Sequence, residues 1–414
     1  MHELNHSGGG AAVAVRAVPE REGILSALAV GLLARVAFIT LYFHWATVPL
    51  SSDDASYVQI ARTVVATGRL GTHHFPVGYP LFIASFLKLG DATAFPLIRM
   101  CQVLFGLVTI VMVARIAGAL YGRRAGLLGG WITALYPPLV WMAGRIMSET
   151  LFIALLMLSL EQFVRADREG SRGRTVLAGI IFAVASMVRS NLVLMLAFVP
   201  LWLLLRPRAD LRTRLGTTTV TMAATVAVLM LPAVYFLRTK GEFLPFATNA
   251  GQTFYGANNP YADGGWVQVE SHPELLQSIP PEVRRSPATY SKAQQALGIK
   301  WIREHPGAFL HLLPKKFANA WIPGMQTSET TTASPTASLV LMVVFGPLIL
   351  AAIAGRILVR PAQRDGLLLA VLATYTVMSL VFYGNPRIGL FCAPVLIVYA
   401  SSLITVSRFA GRVP

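Results

Sequence analysis

Apolar residues recur along this chain in long stretches that are separated by short polar connections. The first stretch, residues 24–43, is long enough to cross a bilayer as a helix that rises about 1.5 Å per residue. Further apolar stretches follow at about 97–119, 125–143, 148–164, 175–188, 191–205, 216–236, 337–354, 366–383 and 388–406. The pattern predicts an all-α polytopic membrane protein with about ten transmembrane helices.

The composition agrees with that class of protein and gives its orientation. Hydrophobic residues make up 55% of the chain and charged residues 13%, whereas a soluble domain carries about 25% charged residues. Much of the basic charge behind the formal +16 lies in four short connections, at 123–124, 165–174, 206–214 and 356–364. Since basic residues near the ends of spans mark the cytoplasmic side, these connections are predicted to be cytoplasmic, and no nucleic-acid partner is expected.

This orientation divides the chain into four regions. A cytoplasmic tail, 1–23, precedes a transmembrane core, 24–236, which contains a first outer loop at 44–96. A second outer region, 237–336, is polar, carries turn signals such as Asn258-Asn259-Pro260, and has predicted helices at 288–304 and 307–321. The remaining transmembrane helices and a short cytoplasmic tail occupy 337–414.

Two further features limit the kinds of site that the chain can hold. Cys101 and Cys392 both fall within apolar stretches and are expected to be free, so neither a disulfide nor a zinc framework is predicted. The first apolar stretch is longer than the roughly 7–15 residues of a signal-peptide core, and no clear cleavage site follows it. We therefore expect it to remain as a permanent helix.

The first outer loop contains an acidic pair, Asp53-Asp54, followed by Tyr57. If a helix runs to Thr67 with Gly68 just beyond its end, Asp53 and Tyr57 lie four residues apart on one face. The alternative is that an acidic residue only caps this helix, although one Asp would suffice for a cap. The same loop contains the apolar stretch 76–89, which is too short to span and is predicted to be an interfacial or re-entrant helix.

Another carboxylate, Glu149, lies in a predicted outer turn at 144–150. The alternative is structural: Ser148 would cap the next helix, and Glu149 would favour the positive end of its dipole. Basic side chains also gather at the outer ends of spans, where the positive-inside rule disfavours them. Either a bound phosphate or ion pairs with the outer carboxylates would explain these arginines, which are Arg99, Arg145, Arg189 and Arg387.

Carboxylates and cations that meet at a membrane surface suit glycosyl transfer from a lipid phosphate. A carboxylate can accept the proton of an acceptor hydroxyl, and the cations can stabilise the departing phosphate. Adjacent acids also raise each other's pKa by like-charge repulsion, which favours a base that works near neutral pH.

Several short motifs occur in an order that matches a known family. They are Asp53-Asp54-Ala55-Ser56-Tyr57, Pro76-Val77-Gly78-Tyr79-Pro80-Leu81, Tyr121-Gly122-Arg123-Arg124, Tyr136-Pro137-Pro138, Ser148-Glu149-Thr150-Leu151-Phe152, Arg189-Ser190, Asn385-Pro386-Arg387 and Ala393-Pro394. In these motifs the chain resembles the GT-C membrane glycosyltransferases, in particular glycosyltransferase family 39, which includes protein O-mannosyltransferases and aminoarabinose transferases. The matches cover most of 45–205 and, more weakly, 380–400.

The resemblance implies a GT-C-like bundle in the cell inner membrane, with its active site on the extracytoplasmic side. The donor would be a polyprenyl-phosphate sugar, the reaction would invert the anomeric carbon, and no metal would be required. Asp53 would be the base, Asp54 and Glu149 would position substrate, and Arg189 and Arg387 would hold the donor phosphate. Further predicted substrate-binding residues are Tyr57, His74, Tyr79, Asn258 and Asn259.

Two departures from the family pattern affect the expected substrates. Phe75 stands where aminoarabinose transferases have a lysine, although His74 lies beside it, and Asp54 stands where the family has Glu. The acceptor is expected to be a glycan, a lipid or a protein, of which a protein is the least expected because no added soluble domain accompanies the motifs. The alternative functions are a ligase or polymerase of lipid-linked glycans and a polyprenyl-lipid transporter or flippase.

Overall fold

The computed structural model describes residues 21–46, 53–71, 74–206, 209–244, 246–322 and 335–406, and the regular elements in these ranges are helices. The α-helices are α1 Arg21–Phe38, α2 Asp53–Thr67, α3 Gly78–Leu87, α4 Asp91–Tyr121, α5 Arg123–Leu135, α6 Pro137–Gly144, α7 Glu149–Glu169, α8 Arg172–Val188, α9 Phe198–Leu204, α10 Leu211–Leu229, α11 Leu231–Lys240, α12 Ala250–Ala257, α13 Pro273–Gln277, α14 Pro287–Glu304, α15 Pro306–Trp321, α16 Pro335–Leu358, α17 Gly366–Val381 and α18 Arg387–Ser401. Short 3₁₀ and π segments join some of them, including a 3₁₀ helix at Ser190–Ala197.

Four helical stretches in the described ranges are long and apolar enough to cross a membrane. They are Glu22–Phe43, Asp91–Tyr121, Leu211–Lys240 and Arg387–Thr405, and shorter apolar helices lie at Gly78–Leu87, Ser190–Leu204, Met342–Leu358 and Gly366–Val381. The chain is therefore an all-α polytopic membrane protein, as its hydrophobic pattern predicts. The number of about ten spans stays a prediction.

The predicted span 125–143 is divided into two helices, α5 and α6. The break falls at Tyr136, whose backbone is extended (φ −64°, ψ 110°) because the following Pro137 disfavours the helical conformation. The break leaves carbonyl groups at the end of α5 without helical donors. Arg35 of α1, which is buried, donates to two of these carbonyl oxygens, those of Ala134 (3.0 Å) and Thr133 (3.5 Å). Arg35 therefore faces the bundle interior.

The bundle core is formed by α4, α7, α8 and α18, and α18 is the most enclosed of these helices. Every residue from Ile388 to Ser401 is buried, and Phe391 packs edge-to-face against Phe152 of α7 at 5.5 Å between ring centroids. Apolar surface on all sides of a helix is typical of a helix at the centre of a bundle. The central position of α18 holds its first residue, Arg387, in a defined place.

The first outer loop has the helices that its sequence predicts. α2 ends at Thr67, and Gly68 has φ +67°, a left-handed conformation that glycine adopts readily after a helix. α3 has 10 residues, too few to span a bilayer. Its first residue, Gly78, packs so closely on the end of α8 that a Cβ atom there would lie 2.8 Å from the Met187 carbonyl oxygen. The close approach brings the residues before α3 next to Arg189.

The second outer region is also helical. The two helices predicted at 288–304 and 307–321 are α14 and α15, each of which begins with a proline at its first turn, where the missing N–H costs nothing. α12 packs on α14, and α15 packs on α17 and α18. The second outer region therefore contacts the membrane helices near the start of α18.

Candidate active site

A cavity of about 540 Å³ lies where the first outer loop, the end of α8, the α17–α18 turn and α12 meet. Its volume is within the range of about 300–1,000 Å³ that is typical of small-molecule sites. Half of the ten predicted site residues line it, and these are Asp53, Tyr57, His74, Arg189 and Arg387. The structure thus brings together residues from three distant parts of the sequence.

One ion pair stands at this cavity between the first residues of α2 and α18. Asp53 Oδ2 accepts a hydrogen bond of 2.6 Å from Arg387 Nη1, across 334 residues of sequence. The Arg387 backbone N–H donates to Asn385 Oδ1 at 2.8 Å, a side-chain contact that shapes the turn before α18. The side chains of Asp53 and Arg387 are 33% and 38% exposed, so a ligand in the cavity can reach both groups.

A second ion pair lies deeper, between Glu149 and Arg189. Glu149 is fully buried, and its Oε1 lies 3.3 Å from Arg189 Nη1. The same nitrogen donates to Ser148 Oγ at 2.9 Å, and Ser148 Oγ is 3.3 Å from the Tyr57 hydroxyl. The Arg189 guanidinium lies over the Phe391 ring, 4.4 Å from its centroid. Arg189 is therefore held by a carboxylate, a hydroxyl and an aromatic face.

This cluster corrects the structural interpretation of Ser148. Ser148 precedes α7, but its side chain makes no capping hydrogen bond to that helix, since its hydroxyl contacts Arg189 and Tyr57 instead. Ion pairs, the alternative to phosphate binding, are present at Arg145, Arg189 and Arg387. The sequence left both explanations open, and the three ion pairs differ in the exposure of their carboxylates, at 2%, 0% and 33%.

Asp54 and Tyr79 lie behind the cavity rather than on its wall. The Asp54 side chain is 2% exposed and its Oδ2 accepts from Arg145 Nη2 at 2.8 Å. The Tyr79 hydroxyl donates to Gln102 Oε1 at 2.7 Å, and Gln102 Nε2 donates to the carbonyl oxygens of Ala143 and Arg145. These contacts attach α2 and α3 to the α6–α7 turn.

Asn258 and Asn259 are not brought to the cavity. The side chain of Asn258 accepts from Lys316 Nζ at 2.7 Å and donates to the carbonyl oxygens of Phe254 and Val381. The Asn259 side chain makes comparable contacts with the backbone of Tyr255 and Tyr261. Because these fold contacts occupy both amides, the structure does not support a substrate-binding role for them.

The protonation states of two cavity residues follow from their surroundings. Burial raises the pKa of Tyr57 to about 12, so its hydroxyl is a neutral hydrogen-bond donor at physiological pH. Burial also lowers the pKa of His74, against the opposing effect of the Asp53 charge. The two side chains therefore add polar groups to the cavity without adding charge near pH 7.

Several residues on the cavity wall were not predicted as site residues. Tyr375 of α17 is buried, and no described residue hydrogen-bonds to its hydroxyl group. The only sequence signal for it is a hydroxyl-bearing aromatic within the apolar stretch 366–383. Amide side chains from α12 and the 3₁₀ helix after α8 also line the cavity, as does Trp266. Within the described ranges, no group of three His, Cys, Asp or Glu residues is arranged to hold a metal ion.

Comparison with known proteins identifies the fold of the chain. The family model for dolichyl-phosphate-mannose-protein mannosyltransferase matches residues 74–236, which include Tyr79, Glu149 and Arg189. The structure of the archaeal oligosaccharyltransferase AglB from Archaeoglobus fulgidus, in complex with an inhibitory peptide and a dolichol-phosphate, matches with a TM-score of 0.56 at 16% identity. That match covers 94% of this chain and 50% of AglB. The chain has the GT-C fold and resembles glycosyltransferase family 39.

Other GT-C structures also match the chain. The apo form of the same oligosaccharyltransferase has a TM-score of 0.56 at 15% identity, over 95% of this chain and 51% of that one. ArnT from Cupriavidus metallidurans in the apo state has a TM-score of 0.38 at 15% identity, over 94% of this chain and 77% of that one. This chain spans about half the length of the oligosaccharyltransferase. A search of curated proteins gives no match.

Proposed function

We propose that this protein transfers a sugar from a polyprenyl-phosphate carrier to an acceptor hydroxyl, with inversion, on the extracytoplasmic face of the inner membrane. The observation that carries the proposal is the partly exposed contact between Asp53 and Arg387 at the cavity. It joins a carboxylate that can accept a proton to a guanidinium that can bind phosphate. The GT-C fold and the dolichol-phosphate bound to the matching oligosaccharyltransferase support the same donor class.

The proposed chemistry is a single displacement. The acceptor oxygen forms a bond to the anomeric carbon, and the bond from that carbon to the donor phosphate oxygen breaks. The hydroxyl proton passes to the Asp53 carboxylate, while the electron pair of the broken bond leaves with the phosphate. The leaving polyprenyl phosphate gains one negative charge, which Arg387 and Arg189 stabilise. Attack on the face opposite the phosphate inverts the configuration.

The proposal also gives the Asp53–Arg387 contact a part in the reaction. The donor phosphate and the Asp53 carboxylate compete for the same guanidinium. When the donor phosphate binds Arg387, the Asp53 carboxylate is released from this hydrogen bond and can accept the proton of the acceptor hydroxyl. The base therefore becomes active once the donor is bound.

The two buried carboxylates act as positioning residues in this proposal. Glu149 holds the Arg189 guanidinium, and Asp54 holds Arg145 and, with it, the α6–α7 turn. Since each of the three acids already faces an arginine, the cations that stabilise the leaving phosphate are side chains, and we propose a metal-independent reaction. Transfer activity that survives excess EDTA supports this; activity that is lost to EDTA and restored by Mn²⁺ or Mg²⁺ contradicts it.

The test of the function uses purified protein in lipid nanodiscs and undecaprenyl phosphate as the probe. We expect binding that Arg387→Ala weakens at least about tenfold, because a charge-assisted bidentate contact is lost. Arg360→Ala is the matched control, since Arg360 is exposed, lies outside the cavity and belongs to a connection that is predicted to be cytoplasmic. Equal affinity of the wild type and Arg387→Ala would contradict the assignment of the phosphate site.

A further inference from the structure

The cavity has a second set of polar side chains that the proposed transfer chemistry does not use. Asn249 precedes α12, Gln252 lies in its first turn, and Asn191 lies in the 3₁₀ helix after α8; all three line the cavity. No described residue hydrogen-bonds to any of these three amide groups. The position of Asn249 at the start of α12 suits a helix cap, yet its side chain makes no capping bond.

The indole ring of Trp266 lines the same cavity and packs closely on the end of α12. Gly256 lies so close to Trp266 that a Cβ atom there would come within 2.3 Å of the indole Nε1. The backbone N–H of Val267 also donates to the Gly256 carbonyl oxygen at 2.9 Å. α12 and Trp266 are therefore packed together, and both contribute to the cavity wall.

We propose that Asn249, Gln252, Asn191 and Trp266 form a subsite for a neutral saccharide that belongs to the acceptor. A planar amide offers a donor and an acceptor side by side, which matches neighbouring sugar hydroxyls, and an aromatic face packs on the apolar face of a pyranose ring. The subsite carries no charged side chain, so it suits a neutral, polyhydroxylated group. The inference rests on the proposed function and narrows its acceptor to a glycan.

Position assigns the subsite to the acceptor rather than to the donor. The donor is anchored in the membrane, and its phosphate contacts are at the ends of membrane helices, at Arg189 and Arg387. Asn249, Gln252 and Trp266 come instead from the second outer region, which is predicted to face the aqueous phase and whose α15 packs on α17 and α18. Asn191 lies two residues after Arg189, so it marks the place where the acceptor subsite adjoins the phosphate contacts. A soluble or surface-attached glycan that enters from the aqueous phase meets this wall first.

The test uses saturation-transfer NMR on the protein in nanodiscs, with methyl glycosides of mannose, glucose, galactose and N-acetylglucosamine as probes and a neutral hexapeptide for comparison. We expect at least one glycoside to bind. Gln252→Met and Asn249→Ala should each weaken the affinity for that glycoside about fivefold, because each substitution removes hydrogen bonds. Gln295→Met, at an exposed position of α14, is the matched control and should bind as the wild type does. Absence of glycoside binding, or wild-type affinity for the glycoside in both cavity variants, overturns the subsite.

Undecaprenyl phosphate binding is measured on the same samples, so that a failure of the saccharide subsite can be distinguished from a failure of the proposed transfer reaction. Intact undecaprenyl phosphate binding without glycoside binding overturns the saccharide subsite and leaves the transfer reaction standing. Glycoside binding without undecaprenyl phosphate binding overturns the transfer reaction, and the acceptor assignment with it. Displacement of the glycoside by undecaprenyl-phosphate mannose assigns the subsite to the donor sugar and overturns our proposal, whereas simultaneous binding supports it.

Discussion

Replacement of Asp53 by Asn should change turnover and donor affinity in opposite directions. The substitution keeps the size of the side chain and its ability to accept hydrogen bonds, but it removes the negative charge and the capacity to take a proton. In our proposal the carboxylate is both the base and the competitor of phosphate for Arg387. Loss of the base slows the reaction, and loss of the competitor strengthens phosphate binding.

The expected size of each effect follows from the contact itself. General base catalysis contributes about 10²–10⁴-fold, so turnover should fall by that factor. The Asp53–Arg387 hydrogen bond is short, at 2.6 Å, but both side chains are about one-third exposed, so water screens the charges. An ion pair of this kind is worth about 1 kcal/mol at most, and its removal should tighten undecaprenyl phosphate binding by up to about fivefold.

Two measurements on one preparation test this reasoning. Single-turnover transfer from an undecaprenyl-phosphate sugar that the wild type uses gives the rate, and binding of undecaprenyl phosphate gives the affinity. A helix cap would be kept by Asn, which caps as well as Asp, so a purely structural Asp53 predicts no change in either quantity. Turnover within tenfold of the wild type refutes the base, and weaker phosphate binding refutes the competition for Arg387.

Asp54→Asn serves as the internal control. Asp54 is almost fully buried, whereas Arg145 is 29% exposed, so loss of the carboxylate should cost less than the roughly 3–5 kcal/mol of a fully buried ion pair, because water can solvate part of the remaining charge. We therefore expect a lower unfolding temperature for Asp54→Asn, with a smaller loss of turnover in the folded fraction than for Asp53→Asn. A stable but inactive Asp54→Asn protein would move the base to Asp54.

Three further outcomes are expected. Arg387→Lys should recover only part of the undecaprenyl phosphate affinity that Arg387→Ala loses, because an ammonium cannot make the planar bidentate contact; full recovery would reduce the site to a simple charge. Burial lowers the pKa of Lys316 to about 7, so the unfolded chain binds more protons between about pH 7 and 10, and stability should fall as the pH falls through that window. Melting curves at several pH values should lose this slope in Lys316→Met, and an unchanged slope would rule out Lys316 as its cause. In a cysteine-free background, a membrane-impermeant reagent should label Asp263→Cys and not Asp210→Cys in intact cells, and the reverse pattern would invert the topology.

Local sequence features predicted the helices well because their signals act over a few residues. Asp53 begins α2 and Gly68 follows its end, since a charged first turn and a left-handed glycine are local requirements of a helix. The same holds for α14 and α15, which begin at prolines. The break at Tyr136 was not predicted, because the hydrophobic pattern continues through Pro137 and only the backbone conformation shows that the span is divided there.

The partners of polar side chains were harder to predict because they depend on tertiary contacts. Asn258 lies in an Asn-Asn-Pro turn that is typical of an exposed loop, yet it is buried against Lys316, 58 residues later. Ser148 has the position of a helix cap, yet the approach of α2 and of the end of α8 gives its hydroxyl two other partners. No local pattern contains the information about which helix ends meet.

The three acid–arginine pairs have the same chemistry but differ in exposure, and exposure decides which of them can act. Asp54 and Glu149 are 2% and 0% exposed, so exchange of their arginines for a ligand would leave a buried charge unpaired, at a cost of several kcal/mol. Asp53 is 33% exposed, so water can solvate it when Arg387 turns to a phosphate. The exchange of partners that the proposed reaction requires therefore has a low free-energy cost at the Asp53–Arg387 pair. The two buried pairs instead keep the surrounding helices in place.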